Sequence, residues 1–151
     1  SRVTEKYVSE FMNHCTKAVS TMPRKVLVIE DEPAIRNILY VLLAALKCEG
    51  DVACNGQQAL AMISRECFDA VLLDIRCADP PAEQILSKIV ELRPNLMGRV
   101  LVITGEVSDP KVLEMLTKNS VPSIPQARLV QDLWGRLRTL FGQLQSSKVV
   151  Q

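Results

Sequence analysis

Three short apolar runs, each closing on an oxygen-bearing side chain, constrain this chain more than any other feature. They are Lys25-Val-Leu-Val-Ile-Glu30, Ala70-Val-Leu-Leu-Asp74 and Arg99-Val-Leu-Val-Ile-Thr104. Unbroken runs of this length, with no polar alternation, suit strands buried on both faces of a sheet. The stretches between them change to helical spacing. Pro33 precedes Ile35, Ile38, Leu39, Leu42, Leu43 and Leu46; the turn signal Asn55-Gly56 precedes Ala59, Leu60 and Ile63; Pro80-Pro81 precedes Ile85, Leu86, Ile89 and Leu92. Ser108 or Asp109 can cap a further helix with Pro110 at its first position and Val112, Leu113 and Leu116 facing inward. Two weaker strands fall at about 51–54 and 121–124, the second broken by Pro122 and followed by Pro125, which assigns it to a sheet edge. The last helix, from about 127, buries Leu129, Val130, Leu133, Trp134, Leu137, Leu140, Phe141 and Leu144. Five strands alternating with five helices predict a doubly wound α/β fold, because parallel strands need crossovers.

Size and charge narrow the function classes. At 151 residues one domain with its own core is expected. A net charge of +1 argues against a dedicated nucleic-acid surface, which needs a one-sided excess of Lys and Arg. No apolar run approaches the roughly 20 residues that span a bilayer, and no secretory signal is visible. Cys15, Cys48, Cys54, Cys67 and Cys77 form an odd, scattered set without a C-x-x-C pair, which reads as reduced thiols of a cytoplasmic protein. The lone His14 has no second histidine to build a metal cluster. Residues 1–22 form an amphipathic N-terminal helix or linker, 23–145 the α/β domain, and 146–151 a polar tail.

The chemistry resides at the strand ends. Glu30 and Asp31 follow the first strand, Asp74 ends the third and Thr104 the fourth. In open α/β sheets the ligand site lies beyond the carboxyl ends of the strands where strand order reverses. In an order 2-1-3-4-5 these residues meet in one cavity. Buried carboxylates are costly unless paired or bound to a cation, and a hard divalent ion such as Mg²⁺ answers that cost while leaving room for a phosphoryl group. Asp74, central in the set, is the candidate nucleophile.

Val28-Ile-Glu-Asp-Glu-Pro33, Val71-Leu-Leu-Asp-Ile-Arg76 and Val102-Ile-Thr-Gly105, with Asn55-Gly56-x-x-Ala59-Leu60, resemble the receiver domain of bacterial two-component response regulators, over about 25–144. The resemblance implies a flavodoxin-like five-stranded parallel sheet in the order 2-1-3-4-5. It further implies that Asp74 accepts a phosphoryl group from a phosphohistidine on a histidine kinase or phosphotransfer protein. Asp31 would hold Mg²⁺ directly and Glu30 through water. Arg76 would offer its backbone carbonyl, its side chain not being at issue. Thr104 would bond the phosphoryl oxygen, and small Gly105 would leave space beside it. Any catalysis would be limited to self-phosphorylation and autodephosphorylation at Asp74.

The chain departs from the family where output is transmitted. The usual Lys-Pro pair after the fifth strand falls on Gln126 and Ala127, so a cation is exchanged for an amide; Arg128 is the neighbouring candidate to replace it. The usual aromatic of the switch is replaced by Ser123 and Ile124. A phosphorylation-independent protein-binding module, or pseudo-receiver, is therefore the alternative function. With only a short, largely polar stretch after the last helix, the chain reads as a stand-alone receiver or a piece of a hybrid kinase. Trp134, Leu137 and Phe141 are candidates for a dimer seam on the last helix.

Overall fold

The computed structural model describes residues 23–105 and 109–149, with side chains to 142. The elements run β1 (Lys25–Ile29), α1 (Pro33–Ala45), β2 (Glu49–Ala53), α2 (Gly56–Arg65), β3 (Ala70–Asp74), α3 (Ala82–Leu92), β4 (Val100–Thr104), α4 (Pro110–Lys118), β5 (Ser123–Pro125) and α5 (Leu129–Val149). The five strands form one parallel sheet in the order β2-β1-β3-β4-β5. The three apolar runs become its central strands, and the proline-broken β5 lies at the edge with only three residues.

The pleat divides each central strand between two cores. Leu27, Ile29, Val71, Leu73, Val100 and Val102 pack with Ile63 of α2, Ile85 and Ile89 of α3 and Leu116 of α4. Val26, Val28, Leu72, Leu101 and Ile103 pack with Leu39 and Leu43 of α1 and Leu133 and Leu137 of α5. Unbroken hydrophobic strands are the consequence, since both faces are covered.

Local chemistry sets the helix ends. Pro33 opens α1 and Pro110 opens α4, whose cap Asp109 accepts from the Lys111 N–H. Asn55 caps α2, its Oδ1 accepting from the Gln58 N–H at 2.9 Å. Gly56 is required for a second reason: a Cβ there would collide with Ile85 Cδ1 and come within 2.9 Å of the Asp79 carbonyl oxygen. What reads as a turn signal is also a point of close approach between α2 and the segment that leads to α3.

The structure corrects several expectations of burial. Val130 and Trp134 on α5 are 63% and 48% exposed, and Leu113 on α4 is 39% exposed. Helical spacing marks a stripe wider than the strip that meets the sheet, so residues at its margins stay in water. Conversely, Leu137 and Phe141 belong to the core and cannot form a seam with Trp134. The expected N-terminal helix lies outside the described residues, as does the side chain of Leu144. Cys67 is disulfide-bonded, against the expectation of five reduced thiols, whereas Cys48, Cys54 and Cys77 are free. Pairing depends on the distance between cysteines in space, which spacing along the chain does not report. Among the described residues no helix is long and apolar enough to cross a membrane.

Candidate functional site

The strand order brings Glu30, Asp74 and Thr104 to the same end of three adjacent strands. Ile29 pairs with Leu73 and Asp74 with Ile103, so Glu30 follows β1 beside Asp74, and Thr104 lies one residue beyond the partner of Asp74. All three side chains are buried: Glu30 is 1% exposed, Asp74 0% and Thr104 3%. Asp31, the next residue along, is exposed. Thr104 donates a long bond from Oγ1 to the Ile124 carbonyl at 3.5 Å, which ties the site to β5.

Asp74 is not open to attack. After β3 the chain makes a short 3₁₀ turn, Ile75–Cys77, and Asp74 caps it by accepting the Arg76 N–H on Oδ1 at 2.9 Å. The same turn lets the Arg76 side chain fold back. Its Nε donates to Oδ1 at 3.1 Å and its Nη2 to Oδ2 at 2.8 Å, a bidentate fork on both carboxylate oxygens. The expectation that the Arg76 side chain is immaterial is therefore wrong, because a long residue two positions after a strand-end Asp can reach back over the turn. Arg76 Nη2 also lies 3.8 Å from Glu32 Oε2. The Arg76 stem also passes Gly105, where a Cβ would stand 3.9 Å from its Cδ.

The two buried carboxylates have opposite electrostatics. Burial alone would push Asp74 up, but the bonds from Arg76 and Glu30 outweigh it and hold the carboxyl below its ordinary range. At Glu30 burial comes first and the neighbouring Asp74 second, together pushing it up to about 7 in spite of the Glu32 N–H. Glu30 Oε1 accepts that N–H at 3.0 Å, whereas no N–H reaches its buried Oε2.

A further residue enters the pocket that sequence reasoning missed. Cys77, buried at the end of the turn, has its Sγ 3.1 Å from Asp31 Oδ1 and 3.7 Å from Glu30 Oε1. Burial, then the bond to Asp31, push its thiol up to about 12. The available signal was position: a cysteine three residues after the central Asp is carried round one turn toward the acids of β1. Gln126 begins the turn after β5, half-buried, and Pro125 is the residue that pairs with Thr104. Arg128, the last residue of that turn, binds Asp132 of α5 at 3.1 Å instead.

Residues 26–125 match the model of the response regulator receiver domain. The chain belongs to the response regulator receiver family. Among curated relatives, this receiver is 30% identical over 119 residues to the transcriptional regulatory protein TrcR of Mycobacterium tuberculosis, covering 79% of this chain and 46% of that one. It is 28% identical over 104 residues to sporulation initiation phosphotransferase F of Bacillus subtilis, covering 67% and 84%. The first two curated relatives it matches are much longer proteins, of which the receiver spans 19% and 46%. The crystal structure of a CheY-like receiver domain protein from Methanospirillum hungatei superimposes with a TM-score of 0.65 at 21% identity, covering 80% of this chain and 98% of that one.

Proposed function

We propose that this receiver accepts a phosphoryl group on Asp74 from a phosphohistidine of a partner histidine kinase or phosphotransfer protein, in a bacterial cytoplasm. One observation carries the reading: Glu30, Asp31, Asp74 and Thr104 come together at one end of three adjacent strands, and no N–H reaches the buried Oε2 of Glu30. That oxygen and the exposed Asp31 carboxylate suit Mg²⁺, which Asp31 would bind directly, Glu30 through water and Arg76 through its carbonyl. When bound, the ion would neutralise charge on the phosphoryl group. An Asp74 oxygen forms the new bond to phosphorus as the bond to the histidine nitrogen breaks, and the imidazole leaves. Before that, Arg76 must release at least one Asp74 oxygen, and Glu32 offers its guanidinium an alternative partner. Thr104 can then turn its hydroxyl from the Ile124 carbonyl to a phosphoryl oxygen.

The bidentate fork favours a second reading. A guanidinium that occupies both oxygens of Asp74 already supplies the charge an ion would bring, and the domain would then serve as a phosphorylation-independent docking module. A small phosphodonor with Mg²⁺ separates the two. A mass gain of one phosphoryl group in the wild type, lost in Asp74→Asn, supports the acceptor; no gain in the wild type or in Arg76→Ala leaves the docking module.

A further inference from the structure

We propose that the amino end of the sheet, opposite Asp74, carries a binding site for a phosphate monoester with an apolar body, held by Arg24, Lys47 and Arg138. These three cations line one cavity of about 490 Å³, and no carboxylate joins them in its wall. They reach it from three separate segments: Arg24 leads into β1, Lys47 follows α1, and Arg138 stands on α5. Among the described residues none of the three has an ion pair. Like charges gathered in this way repel one another until a counter-charge arrives. Arg24 bears most of that cost. Its guanidinium lies over the Phe141 ring, 4.3 Å from the centroid, and its buried Nη1 has no hydrogen-bond partner. The neighbouring carboxylate, Asp69, is already engaged, its Oδ2 accepting the Lys25 N–H at 2.8 Å. The Arg24 charge is also felt at Arg99, which burial holds below its ordinary value, Asp69 opposing the fall and Arg24 adding to it.

Charge and size decide the class of ligand. A phosphate monoester brings about 1.5–2 negative charges at pH 7 and oxygens that match a guanidinium fork, whereas a carboxylate brings one charge. A cavity of about 490 Å³ is far larger than a bare phosphate needs and falls among those that hold small organic molecules. Leu46 and Phe141 supply the apolar wall for the rest of the ligand. Binding has a built-in reporter. Arg138 stacks on Trp134, the one tryptophan of the chain, 4.6 Å from the ring centroid, so a ligand that engages Arg138 changes the surroundings of that ring. The site owes nothing to the acids at the other end of the strands and stands whether or not Asp74 accepts a phosphoryl group.

The test titrates the full chain with phenyl phosphate in EDTA, following Trp134 emission and, for every variant, the heat of binding. A saturable change is expected, with inorganic phosphate and benzoate each binding about tenfold more weakly. Arg138→Gln, at an exposed position, should weaken phenyl phosphate about tenfold without disturbing the fold. Arg24→Lys, which keeps the charge and loses the fork, should weaken it by about the same factor. Lys88→Gln, which removes an exposed cation of α3, should change nothing. The proposal is overturned if no saturable change occurs, if inorganic phosphate or benzoate binds as tightly as phenyl phosphate, or if Arg138→Gln leaves the affinity unchanged. An equal loss in Lys88→Gln also overturns it, since that outcome means general charge attraction. With Mg²⁺ chelated, Asp74 takes no part, so a failure here leaves the acceptor reading standing, and the reverse holds too.

Discussion

The two ends of one sheet treat charge in opposite ways. At the amino end of β1, Lys25 Nζ reaches Glu66 at 3.0 Å and Asp51 at 3.2 Å, while Lys25 and Asp69 exchange two bonds, N to Oδ2 at 2.8 Å and N to carbonyl at 2.7 Å. The ion-paired side chains keep 30–42% of their surface in water. At the carboxyl end, Glu30 and Asp74 are removed from water, one cation serves Asp74, and no N–H reaches one oxygen of Glu30. Around Lys25 the charges are paired, although the neighbouring Arg24 keeps one buried nitrogen, Nη1, without a hydrogen-bond partner. The excess of acceptors at the carboxyl end is a standing cost that a ligand would relieve.

The contrast can be broken most easily at Arg76. Arg76→Met strips the cation from a fully buried Asp74 and is expected to destabilise the domain by about 2–3 kcal/mol at pH 7, below the range for a fully buried pair because Arg76 is 44% exposed. Urea unfolding with and without a divalent cation measures it; a loss under about 1 kcal/mol would mean the two ends are alike. The next largest effect is at Glu30. Its ordinary value of 4.5 is raised to about 7, so the folded chain holds a proton that the unfolded chain releases, and stability falls as pH rises through about 7. Glu30→Gln should remove that decline, matching the wild type near pH 5 and exceeding it by about 2 kcal/mol near pH 8. Parallel pH curves for the two proteins would refute the strain assigned to Glu30.

The opposite end should answer more weakly. Asp69→Ala leaves the Lys25 N–H without its acceptor and should cost about 1–2 kcal/mol, unchanged by divalent ions, as followed by thermal unfolding. Lys25→Met should cost least, about 0.5 kcal/mol, and less still at high salt, since exposed pairs are screened by water and ions. A salt-independent loss larger than that of Arg76→Met would invert the comparison.

Much of this was legible beforehand. Glu30, Asp31, Asp74 and Thr104 stood out because strands carry their last residues to one edge. The edge position of β5 followed from its prolines. The Arg76 side chain and Cys77 did not stand out, because their roles depend on how one short turn aims two side chains. Gly56 looked like turn chemistry alone, since its neighbour Ile85 is 29 residues away in the chain.

Periodicity determined where strands and helices form and which residues end the strands, because hydrogen-bonded backbone and burial act on local pattern. Only the folded chain decided that a guanidinium closes over Asp74, that a thiol meets two acids, and that Val130 and Trp134 remain in water. Those outcomes turn on side-chain distances across elements, which no spacing along a single chain encodes.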